Sequence, residues 1–331
     1  MRHLKDIAER ASLPAGEAYL DLVNETIRVL RLEDPLYRPR DAEERPGGLL
    51  RLDERPTIVI PDLHGRTDFL LSVLSYAPGS YGGATVEELL KKGELQIICV
   101  GDGFHAEARA AERWQRAFKE FTGKYRRHAA MDEEMRESLG LMEIVMNLKI
   151  TRPDGFHFLK GNHENILNEE GRGNHPFRKF AYEGEMVKEW VLKFYGEDFI
   201  STYAEFEHEL PLIAADETFM ISHAEPQRFF SPEEVIGFRD RAEVVLGLTW
   251  TANDAAEEGS VKAMIGEYCS RSEEALYFGG HRPVSGRYLL RAEDRYVQLH
   301  NPGAYGIALL TPGEAPEPDR DIVVIAEEKN G

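Results

Sequence analysis

Residues 57–65 read Thr-Ile-Val-Ile-Pro-Asp-Leu-His-Gly. Four β-favouring residues in a row describe a short buried strand, because branched side chains pack well on a pleated surface. Proline and glycine punctuate its end, and between them a carboxylate, Asp62, and an imidazole, His64, stand two residues apart. The same construction recurs in LQIICVGDG (95–103), FHFLKGNHE (156–164), TFMISHAEP (218–226) and ALYFGGHRP (275–283). Each is an apolar run that stops abruptly in a polar or Gly-containing turn, and each predicts a strand followed by a loop.

Between these strands the apolar spacing turns helical, over Ala106 to Phe121, Asp132 to Lys149 and Glu183 to Tyr195. Alternating strand and helix argue for an α/β core. After His281 the strands crowd together, at Tyr288 to Leu290, Tyr296 to Leu299, Gly306 to Leu310 and Ile322 to Ala326, which predicts a second, more antiparallel sheet there. Upstream, Leu20, Val23, Ile27 and Leu30 recur at helical spacing before a polar, Pro-containing stretch from Asp34 to Gly48. The expected division is a helical leader over residues 1–50 and one main domain over 51–331, with a helical insertion at about 104–152.

With 331 residues, 42% hydrophobic and 30% charged, the chain has the make-up of a globular protein with a sizeable core. Forty basic against fifty-nine acidic side chains give 40 − 59 = −19, which disfavours a broad nucleic-acid-binding surface. The same acid excess repels phosphorylated substrates, so a phosphate-handling site here needs cations of its own. Cys99 and Cys269 stand far apart and provide neither a disulfide framework nor a thiolate cluster. The first residues lack the apolar core of a signal peptide, and no stretch has the length of a membrane span. The expectation is a cytoplasmic protein that does not engage a membrane; oligomeric state is not legible.

The five strand ends deliver Asp62 and His64, Asp102, Asn162 and His163, His223, and His281. In α/β sheets the loops beyond the carboxyl ends of strands converge on a rigid platform, where ligands gather. Two divalent cations roughly 3.5–4 Å apart require a bridging carboxylate, further oxygen and imidazole donors and an open position for water. Asp102 is the natural bridge, and the side-chain carbonyl of Asn162 is a neutral oxygen donor. A lone histidine at a strand end is more often structural than a ligand, but packing alone does not account for a suitable residue in all five loops.

The motifs D-x-H-G at Asp62 to Gly65, G-D at Gly101 and Asp102, G-N-H-E at Gly161 to Glu164, S-H-A at Ser222 to Ala224 and G-H at Gly280 and His281 resemble the calcineurin-like metallophosphoesterase superfamily. The D-x-H-G and G-N-H-E forms, with Leu248-Thr249-Trp250-Thr251, are most similar to its phosphoprotein phosphatase branch. The resemblance spans about Thr57 to Leu310. It implies a four-layer αββα sandwich of two mixed sheets flanked by helices. It also implies a first metal held by Asp62, His64 and Asp102, and a second held by Asp102, Asn162, His223 and His281. Attack on phosphorus by a water or hydroxide bridging the metals follows, without a phosphoenzyme, and His163 protonates the leaving oxygen. Glu164 has a supporting part.

Where that branch continues its second motif G-D-x-x-D-R-G, this chain reads Gly101-Asp102-Gly103-Phe104-His105-Ala106-Glu107. His105 replaces the aspartate that orients the general acid, and Ala106 replaces the arginine that grips phosphate. Nearby substitutes for the arginine, in order of preference, are Arg66, Arg282 and Arg109. His281 is followed by Arg282 and Pro283, so the further terminal histidine of nuclease-like relatives is absent. The stretch from Asp102 to Asn162 is long for the branch and reads as a cap or partner surface, or else as a solvated helical pair over the sheet edge. His3, His128, His157, His175, His208 and His300 are assigned to surface or core. Trp114 and Trp190 are assigned to packing, and Trp250 to the neighbourhood of the site.

The function expected is metal-dependent hydrolysis of phosphate monoesters, on a small phosphorylated metabolite or a phosphoprotein. The alternatives are a phosphodiesterase or dinucleoside polyphosphate hydrolase, and a regulatory pseudo-phosphatase that keeps its metals. Oxygen and imidazole donors without thiolate suit two divalent ions, manganese ahead of iron or zinc.

Overall fold

The structure, a computed structural model, describes residues 1–327. Two mixed sheets form its centre. The five-stranded sheet runs β11 (Ile322–Glu327), β10 (Ala304–Leu310), β2 (Thr57–Ile60), β3 (Gln96–Cys99), β4 (Phe156–Phe158), with β2, β3 and β4 parallel. The six-stranded sheet runs β1 (Leu49–Arg51), β5 (Ile213–Ala215), β6 (Phe219–Ser222), β7 (Leu276–Gly279), β9 (Tyr296–Gln298), β8 (Leu289–Arg291), with β6, β7 and β9 parallel.

Strand alternation builds the layers. Val59, Ile98, Ile221, Phe278 and Val297 point between the sheets, into a core shared with Leu50, Leu159 and Leu310. Their neighbours Ile58, Ile60, Ile97 and Cys99 point the other way, under helices. Tyr277 and Met220 do the same on the far side. Side chains in period two thus feed two different cores from one strand, which is why these runs are apolar throughout rather than alternating. Each buried aliphatic side chain in them is worth about 1.5–3 kcal/mol.

The helical layer on the five-stranded sheet comprises α1 (Arg2–Ala8), α2 (Gly16–Arg31), α3 (Thr67–Ser75), α4 (Val86–Lys92), α5 (Ala111–Thr122), α6 (Ala129–Thr151), α7 (Glu183–Phe194) and α8 (Glu197–Glu209). The other layer is α9 (Pro232–Ile236), α10 (Ala242–Thr249) and α11 (Ser260–Tyr268). This is the four-layer sandwich that the motifs imply. No helix among the described residues is long and apolar enough to cross a membrane.

Three expectations change. The strands after His281 form no sheet of their own: β8 and β9 extend the sheet of β7, while β10 returns to pair antiparallel with β2. Local hydropathy marks a strand but not its partner, which register with remote strands decides. Second, α6 is neither a cap nor a solvated helix. Leu139, Leu141, Met142, Ile144, Val145 and Met146 are all buried, and α6 packs on α1, α2, α3, α5 and β4, its second half enclosed on nearly every side. Glu120 caps its start by accepting the N–H groups of Ala130 and Met131. Third, the proposed boundary at residue 50 falls inside β1, and α1 and α2 share the core of α6 and α8.

The linker from Glu33 to Gly47 is held by buried charge. Arg38, with no exposed surface, pairs with Glu33 at 2.7 Å and donates to the Gly47 and Glu209 carbonyls. Lys149 of α6 bonds Glu33 at 2.5 Å and His157 Nδ1 of β4 at 3.2 Å, and His157 Nε2 meets the Tyr37 hydroxyl at 2.7 Å. Burial would raise the Glu33 carboxyl, but Lys149 and Arg38 hold it well below the usual range.

Candidate metal centre

The loops that leave β2, β3 and β4 carry Asp62, His64, Asp102, Asn162 and His163; those that leave β6 and β7 carry His223 and His281. Parallel strands of two packed sheets end together, so seven side chains far apart in sequence meet at one edge of the sandwich. Main-chain bonds lock the loops: His64 N–H donates to the Asp102 carbonyl at 2.7 Å and Gly65 N–H to that of Gly103 at 2.9 Å. The Glu164 carboxylate accepts from the N–H groups of Gly161, Asp102 and Gly103 at 2.6, 2.9 and 2.8 Å. Asp62 accepts from His281 N–H at 3.0 Å and Asp102 from His163 N–H at 2.9 Å. Glycine is required where these loops touch: a Cβ on Gly280 would lie 1.9 Å from Asp62 Oδ2. His64, Asp102, His105, Glu107 and His281 all have positive φ, a conformation costing non-glycine residues of order 1–3 kcal/mol each.

Asp102 lies in the middle. Its Oδ1 is 3.5 Å from His223 Nε2, and its Oδ2 is 3.5 Å from His64 Nε2 and 3.9 Å from His163 Nε2. Asn162 Oδ1 lies 2.9 Å from His223 Nε2 and 3.0 Å from His281 Nδ1. Asp62 Oδ1 lies 3.7 Å from His223 Nδ1. His64 Nδ1 and His223 Nδ1 sit 3.1 Å from the carbonyls of Phe104 and Val100, an arrangement that assigns the proton to Nδ1 and turns the Nε2 lone pair inward.

The donor set fits divalent cations. Donors about 2.0–2.2 Å from one ion stand roughly 3–4.3 Å apart, the span seen here and too long for most of these contacts to be hydrogen bonds. Burial raises the carboxyls of Asp62 and Asp102 above their ordinary range, and the neighbouring Glu164 and Asp62 push Asp102 further. Burial also lowers His64, His163 and His223 well below the usual imidazole value, with nearby imidazoles adding to the effect. It brings His281 to about 3, assisted by Arg282. Buried anions in need of neutralisation and neutral imidazoles are what metal ligation uses.

His163 is partly open, with its Nδ1 buried and unbonded. Its ring lies 5.1 Å from that of His105, which stacks on Trp114 at 4.9 Å and has its Nε2 3.8 Å from Glu183. Burial raises the Glu183 carboxyl, but His105 and the backbone N–H groups of Lys179 and Phe180 bring it down to about 2. Trp114 is therefore packing, though packing against the site. Trp250 is half-buried, 5.3 Å from the ring of His175.

The three arginines differ in place. Arg109 donates to Glu137 and to the His64 carbonyl, both at 2.8 Å, so it braces the first loop. Arg66 is buried and bonds Glu107 Oε2 at 3.1 Å. Arg282 is exposed beside His281. Ala106 is fully buried, its N–H donating to Glu134.

Two buried residues assigned no part from the sequence enter the site. Glu107 Oε1 lies 3.2 Å from His300 Nε2 and 3.5 Å from both His64 Nε2 and Lys179 Nζ, and His300 Nδ1 lies 3.6 Å from Asp62 Oδ2. His300, assigned above to surface or core, is buried within the donor cluster instead. Its position just after a strand, like the other donors, was the available signal. Burial would raise Glu107 and lower His300, but their mutual contact and that of their neighbours reverse both shifts.

A model of the calcineurin-like phosphoesterase family matches residues 55–285, and the chain belongs to that family of phosphoester hydrolases. No curated protein matches by sequence. Among solved structures, a Saccharomyces cerevisiae protein serine/threonine phosphatase with similarity to human phosphatase PP5 is similar at a TM-score of 0.59 and 12% identity, over 96% of this chain and 90% of that one. A cold-active protein-tyrosine phosphatase of a psychrophilic Shewanella is similar at 0.43 and 12% over 80% and 77%, and a putative diadenosine tetraphosphatase at 0.42 and 14% over 86% and 100%.

Proposed function

We propose that the chain hydrolyses phosphate monoesters, carried by a small metabolite or a phosphoprotein, at a site holding two divalent cations. The observation that carries this reading is the convergence of Asp62, His64, Asp102, Asn162, His223 and His281 about one buried carboxylate, with His163 beside it. Bound cations would lower the pKa of water and offset charge on phosphate oxygens. Asp102 would serve both positions, with Asp62 and His64 completing one and Asn162, His223 and His281 the other. Oxygen and imidazole donors without thiolate suit manganese, iron or zinc, and manganese is the ion proposed. The two buried free thiols, Cys99 and Cys269, suit a reducing cytoplasm.

His163 would hand a proton to the leaving oxygen, its backbone fixed by the N–H it donates to Asp102 and its ring packed against Phe177, 4.6 Å away. His105, backed by Glu183, occupies the place of an orienting carboxylate and would position that ring. With Ala106 buried, recognition of the phosphate falls to cations at the mouth: exposed Arg282, Lys179 over Glu107, and Arg66 behind it. The test is turnover by metal-stripped protein reloaded with manganese, beside Asp102→Asn, on para-nitrophenyl phosphate and its bis-ester. Monoester hydrolysis that returns with metal and is lost in the variant supports the reading. Dominant diester turnover replaces it with a phosphodiesterase or dinucleoside polyphosphate hydrolase. Two bound metals without turnover of either ester would point to a regulatory protein.

A further inference from the structure

We propose that Glu107 and His300 are direct ligands of the cation held by Asp62, His64 and Asp102, so that this position is wrapped by five protein residues. The inference rests on the dinuclear reading above and deepens it. Its first support is distance. His300, Glu107 and His64 form one group that can offer three donor atoms all within 4.8 Å of one another, and His300 Nε2 also lies within hydrogen-bond reach of Glu107 Oε1 at 3.2 Å. Within it His64 and Glu107 stand 3.5 Å apart, the separation also seen between His64 and Asp102. Both lengths exceed a hydrogen bond and match two donors sharing one ion. The other ring nitrogen, Nδ1, faces Asp62 Oδ2 at 3.6 Å, so the ring sits between the two carboxylates.

The second support is how Glu107 is presented. Its backbone has φ of 50°, where a β-carbon is strained, at the place the related motif gives to glycine. Its carboxylate is buried, and its two oxygens divide their work: Oε2 takes Arg66 at 3.1 Å, and Oε1 faces the imidazoles with Lys179 Nζ 3.5 Å away. A carboxylate with one oxygen on a cation and the other on an arginine is a ligand with its orienting partner. His300 comes from the loop after β9, the third parallel strand of the six-stranded sheet, so it reaches the edge by the same route as His223 and His281. Three carboxylates and two imidazoles at this position, against one carboxylate, one amide and two imidazoles at the other, make it the tighter site, suited to a hard six-coordinate ion.

The experiment reads metal binding, not turnover. Stripped protein is titrated with Mn²⁺, free ion is followed by its EPR signal, and bound metal per chain is counted by elemental analysis. Wild type should take two ions of unequal affinity. Glu107→Gln and His300→Gln should each weaken the tighter by more than about 100-fold, beyond the 10–100-fold expected of residues that only orient ligands, and His281→Gln should weaken the other. A loss smaller than that in both variants overturns direct ligation. A second measurement needs no variant: pulsed EPR on ¹⁵N-histidine-labelled wild type with one equivalent of Mn²⁺ should find two coordinated imidazoles, His64 and His300. One imidazole overturns the inference while the dinuclear site stands; wild type that takes up no metal overturns the dinuclear reading itself.

Discussion

The substitution His157→Asn should flatten the acid dependence of stability. His157 is buried, with Lys149 donating to its Nδ1, so the ring is neutral and a second proton would set two cations side by side. Burial, and then Lys149, lower its pKa to about 4. In the unfolded chain the value returns to about 6.5, so between those values the unfolded state binds the extra proton. Stability from this residue is therefore complete above about pH 6.5 and lost as pH falls toward 4. The shift of about 2.5 units at 1.36 kcal/mol each corresponds to about 3 kcal/mol. Urea unfolding can be followed by the fluorescence of buried Trp114 and Trp190, with chelator present so that metal binding does not contribute. The replacing amide keeps an acceptor for Lys149 but does not titrate, so the wild type's advantage over the variant should shrink by about 3 kcal/mol from pH 7 to pH 4. Parallel stability curves across that range would refute both the neutral assignment and the coupling to Lys149.

His163→Gln should lower hydrolysis by about 10²–10⁴ while bound metal per chain stays at the wild-type value; loss of metal would instead make it a ligand. Gly280→Ala, whose new Cβ must displace Asp62, should weaken metal uptake by about 10–100-fold, and unchanged uptake would show that the loops have room to part. Trp114→Ala removes a fully buried ring that also supports His105, and should cost about 3–5 kcal/mol in urea unfolding.

The strand ends were legible because each is a local event: an apolar run, a turn, and a polar residue whose type suits a cation. That local signal found the parallel strands β2, β3, β4, β6 and β7 and the side chains that follow them. It did not say which sheet the later strands would join, because pairing of β10 with β2 depends on residues some 250 positions apart. Glu107 and His300 were missed for related reasons. Glu107 sits where the resembling motif has glycine, and its contacts with His64, Arg66 and His300 come from residues remote in sequence. His300 precedes Asn301-Pro302-Gly303, a turn that explains a polar residue without any ligand. Among the candidate phosphate contacts, charge and proximity in sequence could not show that Arg109 is committed to Glu137 and a carbonyl, nor that Lys179 would lie over Glu107 from a distant loop.

The candidate donors come from both sheets, Asp62, His64, Asp102 and Asn162 from one and His223, His281 and His300 from the other. Filled, the centre would act as a seam stitched through the edge of the sandwich, adding to the few hydrogen bonds, such as that from His281 N–H to Asp62, that already join the two layers there. A ligand that binds only the folded chain stabilises it by about 2.7 kcal/mol at one hundred times its dissociation constant and about 4.1 kcal/mol at one thousand. Metal supply would then govern how long the protein survives as well as how fast it works.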